Sequence, residues 1–137
     1  MFTWDKSYSV QIKEIDSQHQ HFFELANKIL DETQKGEPNR QIVLDVVYEL
    51  GDYAMYHLST EEELFDRCHY SEAEEHKKSH QMFREKIKAL IEELRGVNGY
   101  SHELAKEVAE FAGNWLMKHI LIMDKKYAEP LHVCGIK

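Results

Sequence analysis

Histidine is unusually frequent here, nine in 137 residues, and five of the nine fall at helical intervals. His57 and Glu61 are four apart, and so are His76 and His80. His19 precedes Phe22 and Phe23 by three and four positions, and His119 follows Trp115 by four and Leu116 by three. A step of four along an α-helix returns to the same face with an offset of only about 40°. On helices, these five imidazoles and Glu61 would therefore point inward with their apolar neighbours. A buried histidine or carboxylate is costly unless it is paired or binds a metal. A single case is ordinarily a core histidine with its own hydrogen bond. Six such residues would need six separate accommodations, whereas a metal site accommodates them together. Imidazole favours Zn, Cu, Fe or Ni, and carboxylates can bridge hard ions. Asp124 stands five residues after His119, a rotation of about 140° on a regular helix. Spacing alone leaves it open, because an undisturbed helix would aim it elsewhere and a distorted one could bring it back. With Asp124 included, the set is too large for one ion and suits two. Two six-coordinate ions bridged by both carboxylates and one oxygen would keep one open position facing apolar side chains.

The elements that must position these residues are legible from punctuation and periodicity. Gly36 with Pro38, the polar run Asp66–Ser71, Gly96 with Gly99, and Pro130 cut the chain into four long segments. The predicted helices run roughly 17–35, 40–65, 72–95 and 101–124. Asp16 or Ser17, Asn39, a Ser71/Glu74 capping box, and Ser101 are the expected N-terminal caps. The apolar stripes are Phe22, Phe23, Ala26, Ile29 and Leu30; Val43, Val47, Leu50, Ala54 and Leu64; Phe83, Ile87, Leu90, Ile91 and Leu94; and Leu104, Val108, Phe111, Ala112, Trp115, Leu116 and Ile122. No stretch alternates with period two. The expected fold is all-α, an up-down-up-down antiparallel four-helix bundle with an N-terminal arm, forming one domain over 1–137. In that topology His19 and His76/His80 lie near helix starts, while His57/Glu61 and His119 lie near helix ends. All then share one end of the bundle, within a turn or two.

Composition narrows the function classes. The formal charge is −8 and no basic cluster offsets it, so nucleic acid is an unsuitable partner. No apolar run approaches the roughly 20 residues a bilayer span needs. Trp4, Asp5 and Lys6 interrupt the start, unlike the apolar region of a signal peptide. Cys68 and Cys134 are far apart with no CxxC. Two free thiols in a reducing cytosol is the expected state, with one Cys68–Cys134 bridge as the alternative, and the expected location is the cytoplasm.

Four elements in order, Asp16-x-Gln18-His19, His57-x-x-x-Glu61, His76-x-x-x-His80 and His119-x-x-x-x-Asp124, resemble the hemerythrin family. Each is weak alone, but together they are specific and span essentially the whole chain. Its length looks like that of the single-domain bacterial members. The resemblance brings Asp124 into the set. It implies a non-haem di-iron centre that binds O2 reversibly, for transport, storage or delivery, with NO or peroxide as other possible ligands. His76, His80 and His119 would hold one iron and His19 and His57 the other. Glu61 and Asp124, with an oxo or hydroxo group, would bridge them. Phe22, Leu58, Trp115, Leu116 and Ile120 would line the O2 pocket.

The remaining polar residues read as surface. His21, about 200° from His19, should face away, and His69, His102, His132, Glu62 and Glu63 are expected to be solvated. His76-Lys-Lys-Ser-His80 lacks the Glu of a zinc-protease HExxH. No Glu-x-x-His pair lies on the site faces, unlike ferritin-type oxidases. The expected protein is thus a binder rather than an enzyme. The alternatives are a di-iron peroxidase, oxidase or NO-reducing enzyme, and a redox or O2 sensor acting through a partner.

Overall fold

The computed structural model describes residues 1–96 and 98–137. Four long helices form the bundle: α1 (Lys13–Thr33), α2 (Arg40–Cys68), α3 (Ala73–Arg95) and α4 (His102–His119). A π-helical turn, Ile120–Asp124, leads from α4 into α5 (Lys125–Val133). Neighbours in sequence pack together and α4 closes on α1, as short connections between antiparallel helices require. No strand occurs among the described residues. The stripes supply the main core, from Phe22 on α1 to Leu116 on α4.

Two caps are as the sequence implies. Asn39 accepts from the Ile42 amide and Ser101 from the Leu104 amide, each meeting an otherwise orphaned helical N–H. The other two differ. α1 starts earlier, after Ile12, so Asp16 lies inside its first turns. There the Asp16 carboxylate accepts from the Val10 amide at 2.9 Å and from the Ser9 hydroxyl, tying the arm to the helix. α3 follows Glu72 and has no side-chain cap, so Ser71 and Glu74 form no capping box. α2 ends at His69, in the left-handed region (φ 51°, ψ 47°). The Tyr70 amide then reaches back to the Phe65 carbonyl at 3.0 Å, and the Phe65 and Tyr70 rings meet at 5.1 Å. This is a Schellman ending with its apolar contact, built on histidine in place of glycine.

Three sequence expectations fail near the C-terminus. The chain does not stop being helical near 124 or at Pro130; α5 continues to Val133 with Pro130 inside it. Burial of Tyr127 and Leu131 outweighs the backbone bond that proline removes. Ile122 is 62% exposed, because the π turn shifts the inward register past it. Cys68 and Cys134 are joined in a disulfide, 66 residues apart in sequence. The expected free thiols are therefore absent, and with them one argument for a reducing compartment.

The N-terminal arm packs back on the bundle. The Phe2 amide donates to Asn27 Oδ1 at 2.9 Å, Asn27 Nδ2 donates to the Phe2 carbonyl at 2.7 Å, and the Phe2 and Phe23 rings stack at 5.7 Å. Phe2 seats against Gly113, where an added Cβ would overlap its ring. Gly113→Ala should therefore displace the arm and cost about 1–3 kcal/mol, read as a lower melting temperature. A Phe2→Ala change should blunt that penalty when the two are combined.

Candidate metal centre

Each side of the bundle contributes to one buried layer. His19 comes from α1, His57 and Glu61 from α2, His76 and His80 from α3, His119 from α4, and Asp124 from the π turn. All seven are at most 4% exposed. The antiparallel arrangement delivers helix starts and helix ends to the same level, as the sequence implies. The π turn answers the question that spacing left open. Its i→i+5 bonding widens one turn by a residue, so the position five after His119 points inward and Asp124 is fully buried.

The seven side chains divide into two overlapping groups whose donor atoms lie within 4.8 Å of one another: Glu61, His76, His80, His119 and Asp124; and His19, His57, Glu61 and Asp124. Glu61 and Asp124 belong to both. Their oxygens are divided between the groups. Asp124 Oδ1 lies 2.9 Å from His76 Nε2 and 3.0 Å from His119 Nε2, while Oδ2 lies 3.2 Å from His19 Nε2. Glu61 Oε1 lies 3.1 Å from His80 Nε2 and 3.9 Å from His76 Nε2, while Oε2 lies 3.7 Å from His57 Nε2 and 3.9 Å from His19 Nε2.

This donor set fits metal cations. His57 Nε2, His80 Nε2, both His19 ring nitrogens, Glu61 Oε1 and both Asp124 oxygens are buried without a hydrogen-bond partner. His76 Nε2 and His119 Nε2 face each other at 2.8 Å. So many converging, unpartnered polar atoms would be expensive in a dry interior. Shared cations would satisfy them together.

A second layer fixes the rings. His57 Nδ1 donates to Gln18 Oε1 at 2.7 Å and His80 Nδ1 donates to Glu62 Oε2 at 2.7 Å. His119 Nδ1 meets the Ser79 hydroxyl at 3.1 Å. Holding the proton on Nδ1 leaves Nε2 free to coordinate. Glu62, expected to be solvated, is instead only 21% exposed and also accepts from Arg84 at 2.9 Å. Its long side chain reaches across to α3, a contact 18 residues away in sequence that periodicity does not reveal. Tyr127 donates from its buried hydroxyl to Glu61 Oε2. It lies one turn beyond Asp124, a signal hidden by ending the last helix too soon.

Apolar groups seal the layer on both sides. Toward the main core, the Phe22 ring is 6.4 Å from His57 and Trp115 stacks on His119 at 4.3 Å. Leu58, Leu116 and Ile120 are fully buried in the same core. Toward the bundle end, a smaller cluster of Val10, Ile12, Ile15, Leu64, Phe65, Tyr70, Tyr127 and Leu131 forms a lid, with Phe65 4.7 Å from His76. His21 lies outside, partly exposed against Glu24 and Tyr53, as its rotation implies. Glu63 and His69 are also exposed. His102 accepts or donates to the Tyr100 hydroxyl at 2.6 Å, and His132 Nε2 donates to the Gln11 carbonyl at 2.7 Å.

The chain matches the model of the hemerythrin HHE cation binding domain over residues 10–131. The chain belongs to the hemerythrin family. Within it, the chain is 29% identical to the bacteriohemerythrin of Clostridium acetobutylicum over 132 residues, covering 94% of this chain and all of that protein. A hemerythrin-like protein of Naegleria gruberi is 28% identical over 126 residues, covering 92% of this chain and 90% of that one. A crystal structure of wild-type hemerythrin superposes with a TM-score of 0.85 at 26% identity, covering 96% of this chain and 98% of the other. The hemerythrin fold and a buried His/Glu/Asp cation site thus coincide in this chain.

The protonation pattern follows from the same contacts. Burial disfavours charge on His80, but the Glu61 carboxylate 3.1 Å away and the hydrogen bond to Glu62 overcome it and hold its pKa up at about 9. Burial alone dominates at His57, lowered to about 4. Burial opposes charge on Asp124 too, yet His119, His19 and His76 hold its carboxyl well below the usual range. Once metal is stripped by a chelator, His80 should stabilise the fold fully below its unfolded value of about 6.5. That contribution, about 3 kcal/mol, should be lost as pH rises through about 9. Calorimetry of stripped protein should show melting temperature falling across this interval. Glu62→Gln should flatten the fall, and a flat profile in the unsubstituted protein would contradict the assignment.

Proposed function

We propose that this protein reversibly binds O2 at a di-iron centre held by His19, His57, Glu61, His76, His80, His119 and Asp124. The observation that carries the reading is the division of the two carboxylates. Glu61 and Asp124 each present one oxygen to the three-histidine group and the other to the two-histidine group. A carboxylate so placed would bridge two cations. His76, His80 and His119 would hold one iron, and His19 and His57 the other, with an oxo or hydroxo group completing the bridge. The smaller ligand set would leave that iron the more open of the two. Bound iron would supply the redox chemistry by which O2 is held.

What the chain itself does is orient and insulate. Gln18, Glu62 and Ser79 fix the imidazoles, and Tyr127 holds Glu61. Burial, with the Glu61 and Asp124 carboxylates beside it, raises the Tyr127 pKa well above 10, so its hydroxyl stays a donor. Phe22, Leu58, Trp115, Leu116 and Ile120 form an apolar wall that excludes water and anions. None of these five offers an acid or base to a substrate, which supports a binding protein over an enzyme. A small apolar gas suits such a wall; NO would fit it as well. Similar proteins are named bacteriohemerythrin, which supports the same reading.

The test combines metal analysis with a visible spectrum. The protein is reduced without air, exposed to O2 and then deoxygenated. Two irons per chain and a charge-transfer band that appears with O2 and fades on its removal are the expected result. Prompt irreversible oxidation would overturn reversible binding. In the same assay Glu61→Ala should lose most or all of the metal and His21→Ala should keep it. Equal loss in both would refute the facing assignment.

A further inference from the structure

Two features beside the metal centre have no part in holding ions: the disulfide and the helix it ends. α5 is fastened at several points. At its start it is continuous with the π turn that aims Asp124. In its middle Tyr127 donates to Glu61 and packs on Phe65 at 5.3 Å. At its far end Leu131 is fully buried, His132 bonds to the Gln11 carbonyl, and Cys134 joins Cys68. Cys68 is the last residue of α2, the helix that carries Glu61. The disulfide and the Tyr127–Glu61 hydrogen bond therefore clamp the same two helices.

We propose that the Cys68–Cys134 disulfide and Tyr127 act as one redox-dependent clamp on Glu61, through which a dithiol reductant at the surface loosens the metal centre. The proposal rests on the di-metal reading above. Cys134 is exposed and Cys68 half-buried, so the bond is within reach of thiols in solution. One thiolate of the reductant attacks a cystine sulfur and forms a mixed disulfide; its second thiol then displaces the remaining cysteine. The cystine takes up two electrons and two protons to give two cysteine thiols. The dithiol gives up the same and leaves as its own disulfide.

While the bond is closed, α5 is tethered at both ends, so any excursion that separates Tyr127 from Glu61 is limited. Once open, α5 is tethered covalently only at the π turn. Its remaining hold on the far side is buried Leu131, His132 on the Gln11 carbonyl and Ile136, which packs against the lid. Such a segment opens more often as a local unit. Each opening removes a donor from Glu61 Oε2 and lifts the Tyr127 ring away from Phe65 and His76, against which it packs. Tyr127 is thus a positioning residue for Glu61, and the cystine sets how constantly it is in place.

The test uses the full-length, iron-loaded protein. Its cystine is reduced with dithiothreitol, which is then removed anaerobically, and the rate of iron loss to an Fe(II) chelator is compared with that of untreated protein. A Cys68→Ser/Cys134→Ser variant, with and without dithiothreitol, separates bond opening from direct action of the reductant on iron. Iron loss should be several-fold faster in the reduced protein and in the variant, and dithiothreitol should not accelerate the variant further. Tyr127→Phe should also accelerate loss when the bond is intact. It should add little once the bond is gone, because the two act on one contact. Unchanged iron loss on opening the bond, or fully additive effects, would overturn the clamp. Amide exchange of residues 127–129 and 131 in metal-free protein gives a second readout. It should quicken when the bond is opened, and unchanged exchange would overturn the clamp even if the protein proved to bind no iron.

Discussion

Seven ionisable side chains lie in a layer that water scarcely reaches, and the rest of the molecule is arranged around that cost. Charge in such a place is unfavourable unless opposite charge is close and well aimed. Glu61 and Asp124 bring two negative charges, five imidazoles bring lone pairs, and cations shared between them would reconcile the set. Each carboxylate faces both histidine groups, so neither group is complete without the other. Four helices must therefore agree in height to within about a turn. Antiparallel packing makes that possible, because it lines up the starts of α1 and α3 with the ends of α2 and α4.

The same constraint accounts for the least regular part of the chain. A regular helix through residue 124 would turn Asp124 about 140° away from His119. The π turn at Ile120–Asp124 corrects this and exposes Ile122 in the process. It also redirects the chain so that α5 packs over the end of the bundle. There Tyr127 completes the hydrogen bonding of Glu61 while its ring helps to close the apolar lid. A local irregularity thus places one carboxylate shared by both histidine groups and the residue that steadies the other one.

The helices, the bundle and six of the seven inward residues were legible in the sequence because they obey one rule, the 3.6-residue period. Asn39 and Ser101 were legible as caps because their partners lie three residues on. What escaped depends on contacts across space or on departures from the period. Glu62 was read as solvated because its rotation leads off the stripe, yet its reach carries it to His80 and Arg84. α1 starts before Asp16 because that carboxylate is engaged with Ser9 and Val10 instead of capping. Pro130 looked like an end because proline breaks isolated helices, whereas here the burial of Leu131 and Tyr127 holds the turn together. The Cys68–Cys134 pairing joins residues 66 apart, and only the return of α5 toward the end of α2 brings them within bonding distance. Asp124 stood between these cases. Geometry left it undecided, the family motif included it, and the π turn supplied the physical reason.

The two apolar bodies that enclose the layer differ in how they are held, and that difference bears on how the centre would behave. The main core is made by residues spaced along all four long helices, so opening it requires most of the fold to come apart. The lid is assembled from the arm (Val10, Ile12), the first turn of α1, the end of α2 and the short α5. Its pieces are few, and the arm and the short α5 have far fewer packed turns to hold them than the long helices do, so they open more readily as local units. Water, protons and metal ions should therefore reach the layer through the lid side in preference to the core side. The fastenings concentrated there, Asp16 on the arm, His132 on Gln11 and the cystine on α2, stand where the seal is weakest. The apolar wall of Phe22, Leu58 and Trp115 instead borrows its stability from the bundle as a whole. A site meant to exclude water from one face and exchange its contents through the other would be built with this asymmetry.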